Sequence, residues 1–327
     1  MRDNERLRLV LALLLVIVFL RQSMAAADTA TPSTQPAPVA ATTQSDETHF
    51  LRFIGDGTKG GSLETSDVTY TNAAGQKVRL VAAVHIAEAA YFRDVQSSVE
   101  KCDAVLYEMV KPKDSGPPEK GRQSDHAIAQ LQRFLKDRLD LSFQLDEVDY
   151  TPKNFVHADL DAETFQQMQS QRGESFASMM LASLLKSLSD PGAVRSFDDE
   201  PLDLVDMMTR PDGERQIKLL LARHLGDFEK EAMGLNMLDG TVILTERNKK
   251  VMSVLDETLK SGQKDIAIFY GAAHMTDLSK QLEERGFKRT QTKWRAAWDV
   301  RIRENEPSAF QKLLDTTAKE LLKPPAE

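Results

Sequence analysis

Hydrophobic and polar positions along this chain follow two different periods. Apolar and β-branched residues gather at 68–70 and again at 78–84, separated by Asn72-Ala73-Ala74-Gly75. Asn and Gly accept the backbone of a tight turn, so the pattern predicts a β-hairpin. Leu80-Val81-Ala82-Ala83-Val84 is apolar without alternation, which predicts a central strand covered on both faces. After His85 the period lengthens. Ala89, Phe92, Val95, Val99 and Cys102 fall at helical spacing, with Glu88 and Asp94 near the helix start. Residues 104–109 read as the next buried strand, completing a strand–helix–strand unit.

A second unit of the same shape lies near the C-terminus. Val251, Leu255 and Leu259 mark a helix that stops near Gly262, and residues 266–270 form a buried strand ending at Gly271-Ala272-Ala273-His274. Leu278 and Leu282 mark a further helix stopping at Gly286, and residues 290–300 read as a strand containing Trp294 and Trp298. The two units echo one another. One reads Ala-Ala-Val-His85-Ile-Ala-Glu88 and the other Gly-Ala-Ala-His274-Met-Thr-Asp277, each with a histidine at the end of a buried strand and an acid three positions on.

Between the units, residues 124–240 read as a mostly helical insertion, with candidate helices at 124–138, 161–188, 201–210 and 213–233 punctuated by Pro191, Gly192, Pro201 and Pro211. Within it, Phe176, Met179, Met180, Leu181, Leu184 and Leu185 form a Met-rich apolar stripe. Such a stripe is either core or a flexible groove for an apolar peptide. The expected fold class is α/β: a central mixed sheet built from the two histidine-bearing units, with the helical insertion between them. Residues 49–327 form one domain. At 41 % hydrophobic residues the chain carries enough apolar material for a sizeable core.

The first 27 residues stand apart. Arg2, Arg6 and Arg8 precede an unbroken apolar run from Leu9 to Leu20, and Ala25, Ala26 and Ala27 follow. That is the order of a secretory signal peptide. Its 12 apolar residues span only about 18 Å as a helix, against about 30 Å of hydrocarbon. An uncleaved N-terminal membrane anchor is the alternative. Residues 28–48 are rich in Thr, Pro, Ala and Ser, cannot bury enough surface to offset their ordering entropy, and read as a disordered linker. The mature protein is therefore expected outside the cytoplasm, periplasmic or secreted. Cleavage takes away four basic and two acidic side chains and moves the formal net charge from −8 to −10. So acidic a chain repels phosphate backbones, which excludes nucleic acid as a partner. Cys102 is the single cysteine, so an exported fold must stand without an internal disulfide. It reads as a buried small hydrophobe or, alternatively, a catalytic thiol.

Several catalytic signatures are absent: the Walker A frame, the HExxH zinc helix and its inverse, the GxSxG elbow and the Rossmann fingerprint. Gly55-Asp56-Gly57-Thr58-Lys59-Gly60-Gly61-Ser62 reads as a surface loop. What remains is His85, Glu108 and His274, all at or near carboxyl ends of predicted strands, where open α/β sheets bind ligands. Imidazole nitrogen with carboxylate oxygen is the donor set of Zn and Mn sites. The plainer alternative is a pair of histidines hydrogen-bonded to nearby loops. Glu246-Arg247-Asn248 precedes the helix leading into the second unit. Glu246 or Asn248 could cap that helix; alternatively Glu246 is a candidate base and Arg247 a clamp for a carboxylate or oxyanion. Asn248 and Gly271 are expected on the substrate side of the site.

These residues, in this order, resemble the TraB/GumN family, relatives of the Tiki proteases, over most of residues 62–300. The resemblance rests on the hairpin strand ending in Ala-Val-His85, the strand ending in Leu-Tyr-Glu108, the tripeptide Glu246-Arg247-Asn248, and Gly271-Ala-Ala-His274 followed by a helix and Gly286-Phe287. It implies a fold similar to the ChaN and erythromycin-esterase group, with two GxxH motifs, an acidic position at Glu108 and an arginine at Arg247. Ala82 stands where the family has Gly in the first motif. The activity implied is a metal-dependent hydrolase acting on peptides or small proteins, with His85, Glu108 and His274 holding a divalent ion (Mn, Co or Zn). A non-catalytic protein that sequesters peptides is the alternative within the same family.

If the leader is cleaved, the mature N-terminus should lie near Ala26 or Asp28. N-terminal sequencing of the exported protein checks this, and an intact Met1 in the membrane fraction would favour the anchor.

Overall fold

In a computed structural model, residues 49–55, 60–118, 139–172 and 242–301 are described, with residue 136 and residues 215–219, 221–223 and 225–226. The leader, the linker, the Met-rich stripe, the 201–210 helix and most of 124–138 lie outside the described residues. In chain order the elements are β1 (Leu51–Gly55), β2 (Gly61–Thr71), β3 (Lys77–Ala83), β4 (Ile86–Ala87), α1 (Ala89–Val99), β5 (Ala104–Tyr107), β6 (Ser142–Phe143), α2 (Gln144–Glu147), β7 (Phe155–His157) and α3 (Ala162–Arg172). A π-helical turn (Val242–Glu246) then leads into α4 (Arg247–Lys260), β8 (Asp265–Gly271), a 3-10 turn (Ala272–His274), α5 (Met275–Glu284) and β9 (Lys288–Asp299).

The fold is mixed α/β around a seven-stranded sheet. β3, β8, β5 and β7 lie side by side and run parallel. β2 runs against β3, while β1 and β9 run against β2, so β2 alone points the opposite way. β1 and β3 share one edge of β2, one after the other, and β9 covers the other edge along its length. The two strand–helix–strand units are interleaved: β8 of the second unit sits between β3 and β5 of the first, with Ala83 opposite Gly271 and Tyr107 opposite Phe269. Three strand ends, those leading to His85, Glu108 and His274, thereby become neighbours.

Local chemistry explains the predicted elements. The β2–β3 turn is closed by Asn72, whose Oδ1 accepts the amides of Ala74 and Gln76 at 3.0 Å each. Gly75 takes the left-handed backbone there, with φ 77°. α1 buries Tyr91, Phe92, Val95 and Val99 on one stripe, each contributing roughly 1.5–3 kcal/mol of transfer free energy. β3, β5 and β8 are buried almost throughout, as an uninterrupted apolar run requires when helices cover both faces. Cys102 is part of this core, 5 % exposed, and burial raises its thiol pKa, which leaves it a poor nucleophile.

Some elements were not anticipated. β1 pairs with the start of β2, so Gly55, Gly61 and Ser62 belong to strands and not to the surface loop expected there. Within the stretch expected to be mostly helical, β7 extends the main sheet beside β5, and β6 pairs with β4 just after His85. α3 and the helical residues within 215–226 do fall inside predicted helices. Among the described residues no helix is long and apolar enough to cross a membrane.

Tyr91 offers a test of the packing between α1 and the sheet. Its hydroxyl donates to Ala82 O at 3.0 Å and meets Thr65 Oγ1 at 3.0 Å. Burial pushes its phenol up to about 12. The folded state therefore favours the neutral phenol. That contribution is complete below the ordinary value of 10.0 and is lost as pH rises towards 12. Urea titrations across this range should show a steeper alkaline loss in wild type than in Tyr91→Phe. Parallel curves would contradict the assignment.

Candidate active site

The carboxyl ends of β5, β7 and β8 and the start of α4 meet at one buried guanidinium. Arg247 Nη2 donates to Glu108 Oε1 at 2.7 Å and to Asp159 Oδ2 at 2.5 Å, and its Nε donates to Asp159 Oδ1 at 2.9 Å. Asp159 lies just past β7 and is 1 % exposed. The second oxygen of Glu108 accepts the Gly271 backbone amide at 2.5 Å. Burial opposes ionisation of Glu108. Charge interactions with His274, Arg247 and His85, together with the Gly271 amide, outweigh it and hold the carboxyl down at about 2. Burial likewise works against the charge on Arg247, but Asp159 and Glu108 raise its pKa further still. Two carboxylates thus face one guanidinium.

His274 follows β8 and is 5 % exposed. Its Nδ1 is 2.6 Å from Asn248 Oδ1, and its Nε2 is 3.6 Å from Glu108 Oε1. The edge of the ring packs against Tyr270, whose hydroxyl donates to Ala158 O at 2.6 Å. Burial is the main reason its pKa is pushed down to about 4, although Glu108 pulls the other way. The imidazole is therefore neutral at physiological pH.

His85 follows β3 and is exposed. Its Nδ1 lies 3.3 Å from Gln144 Oε1, and Gln144 Nε2 donates to Tyr150 OH at 2.8 Å. The segment is pinned at the main chain: Gln144 N donates to His85 O at 2.9 Å and Trp298 Nε1 to Ile86 O at 2.7 Å. Gly271 marks where the groups converge. A Cβ there would meet Glu108 Oε2 at 3.2 Å, His85 Nε2 at 3.7 Å and His274 Cδ2 at 3.8 Å. Glycine thus leaves a small space bounded by both imidazoles and the carboxylate.

The structure thus brings His85, Glu108, Arg247, Gly271 and His274 together. Asn248, expected to touch substrate, is 0 % exposed, with both ends of its amide engaged, so it supports the His274 ring from behind. Glu246 stands at the N-cap of α4 and pairs with Lys249 at 3.0 Å. Among the described residues no group of three His, Cys, Asp or Glu stands, as placed, so as to hold a metal ion. Asp159, Gln144 and Tyr150 were missed by sequence reasoning. Asp159 follows a strand of three residues and Gln144 begins a helix of four, too short for periodicity to flag either.

Arg247→Ala leaves two buried carboxylates without their cation and is expected to cost about 3–5 kcal/mol of stability in urea titrations. Adding Asp159→Asn should recover part of that loss. A cost below about 1 kcal/mol, as for an exposed pair, would contradict the buried clamp.

A scan against protein-family models, a search of curated proteins and a search of solved structures each find no match to this chain.

Proposed function

We propose that this protein is an extracytoplasmic hydrolase of peptides or small proteins, of the TraB/GumN kind, that works with a divalent ion (Mn, Co or Zn) held by His85 and His274 with Glu108. The observation that carries this reading is the pairing of two imidazoles across the space at Gly271. Each has its Nδ1 against a side-chain amide oxygen, and each borders that space, His85 with Nε2 and His274 with Cδ2, while His274 Nε2 lies towards Glu108. Ligand histidines are held in this way, by an acceptor on the nitrogen that does not bind the ion. The electrostatics agree, because Glu108 and Asp159 together outweigh Arg247 by one negative charge and a cation is favoured there.

The donor set suits such an ion: two neutral imidazole nitrogens and one carboxylate. His85 is the exposed and more loosely held of the two histidines, so drawing it inward is the least costly adjustment that closes the set. A bound divalent ion would polarise a substrate carbonyl as a Lewis acid. Arg247 keeps Glu108 ionised and fixes its direction. Its own charge is already offset by two carboxylates, which weakens the case for it as the oxyanion group and makes it a holder of the site. Glu246 remains the candidate base. One observation favours the non-catalytic alternative, a peptide-sequestering protein: both oxygens of Glu108 are already engaged, by Arg247 and Gly271.

Thermal unfolding with and without chelator, alongside cleavage of a peptide library, tests the proposal. An ion at a hundredfold excess over its dissociation constant stabilises the fold by about 2.7 kcal/mol, and chelation should remove that gain. His85→Ala and His274→Ala should already sit at the chelated value, and the double variant should be little worse than either single. All three should lose cleavage. Additive losses with no response to chelator would contradict the proposal and leave the binding protein ahead.

A further inference from the structure

The echo between the two histidine motifs places an acid three residues after each histidine, and the two acids turn out to do different work. Glu88 Oε1 takes Lys218 Nζ at 2.7 Å and the Asp299 amide at 2.7 Å, away from the His85 ring. Asp277 instead lies directly behind His274. Its Oδ2 accepts Asn248 Nδ2 at 2.7 Å and Gln281 Nε2 at 2.8 Å, and Asn248 Oδ1 lies 2.6 Å from His274 Nδ1.

The geometry assigns Asp277 as a positioning residue that acts through Asn248 to hold His274 in the tautomer protonated on Nδ1, with Nε2 bare. The order of donors and acceptors leaves no other arrangement. A carboxylate only accepts, so it must receive the NH2 end of the Asn248 amide. The amide oxygen then faces the ring, and the ring nitrogen opposite it must carry the hydrogen. Without this constraint the other tautomer would be preferred, because Glu108 Oε1 lies 3.6 Å from Nε2 and would draw a proton there. Asp277 and Glu108 therefore compete for the placement of one proton. The two short bonds of the relay, 2.6 and 2.7 Å, prevail over a contact that is too long for a hydrogen bond. On the reading proposed above, on which this inference rests, the relay keeps a metal-binding nitrogen available. Gln144 places no such constraint on His85, since the hydroxyl of Tyr150 at its far end can donate as well as accept.

Nitrogen NMR of the 15N-labelled full-length protein at neutral pH reads the tautomer directly, with His274 assigned by its loss in His274→Ala. Wild type should show a protonated Nδ1 and a bare Nε2. Asp277→Ala should move the proton towards Nε2 and weaken Mn or Zn binding about 10- to 100-fold by calorimetry, the usual effect of removing such support. The exchanged pair Asn248→Asp with Asp277→Asn restores an acceptor at Nδ1 and should restore the wild-type tautomer. A wild-type Nε2–H signal, or an unchanged tautomer in folded Asp277→Ala, would overturn the assignment. If Asp277→Ala does not fold, the wild-type spectrum and the exchanged pair decide between the same outcomes. A tautomer that responds as stated in a protein that binds neither Mn nor Zn would sustain the positioning role and defeat the metal reading.

Discussion

Arg247 is buried between Asp159 and Glu108, and ions are withdrawn from water at this depth only when several hydrogen bonds replace the lost solvation. Here the guanidinium meets both carboxylates, and the free oxygen of Glu108 takes a backbone amide. That requirement fixes the relative positions of α4, the end of β5, the end of β8 and the segment after β7. The candidate site is built outward from it. Glu108 is held ionised between Arg247 and the Gly271 amide, and the space at Gly271 is bounded by it and the two histidines.

The sheet topology makes the clamp possible. Insertion of β8 between β3 and β5 puts both histidine-bearing ends side by side, with Glu108 on the adjacent strand. Strand ends that point the same way present side chains and backbone amides to one region, which is why parallel sheets carry their sites there. The two histidines differ in burial and in how their rings are held. His274 is buried and its ring is held by a relay that ends on a carboxylate, whereas His85 is exposed and its ring meets Gln144 Oε1 at 3.3 Å.

Much of this was legible in the sequence, for identifiable reasons. β3, β5 and β8 are apolar runs, and α1, α4 and α5 carry clear helical stripes ended or followed by turn residues, so pattern alone finds them. The convergence of His85, Glu108 and His274 followed from placing each at a strand end. Contacts far apart in the chain were not legible. Asp159 reaches Arg247 across 88 positions from a strand of three residues, and Gln144 reaches His85 from a single helical turn. Asn248, expected on the substrate side of the site, is instead fully buried. Its burial depends on α4 packing against the turn that carries His274, which no local pattern reports.

On the proposed reading, His85, His274 and Glu108 form a site for a divalent cation. Elemental analysis of the protein, purified without a polyhistidine tag, is the direct test. Close to one equivalent of Mn, Co or Zn per chain is expected, falling to background in His274→Ala. Background metal in the wild type, with no uptake on reconstitution with any of the three, would contradict it.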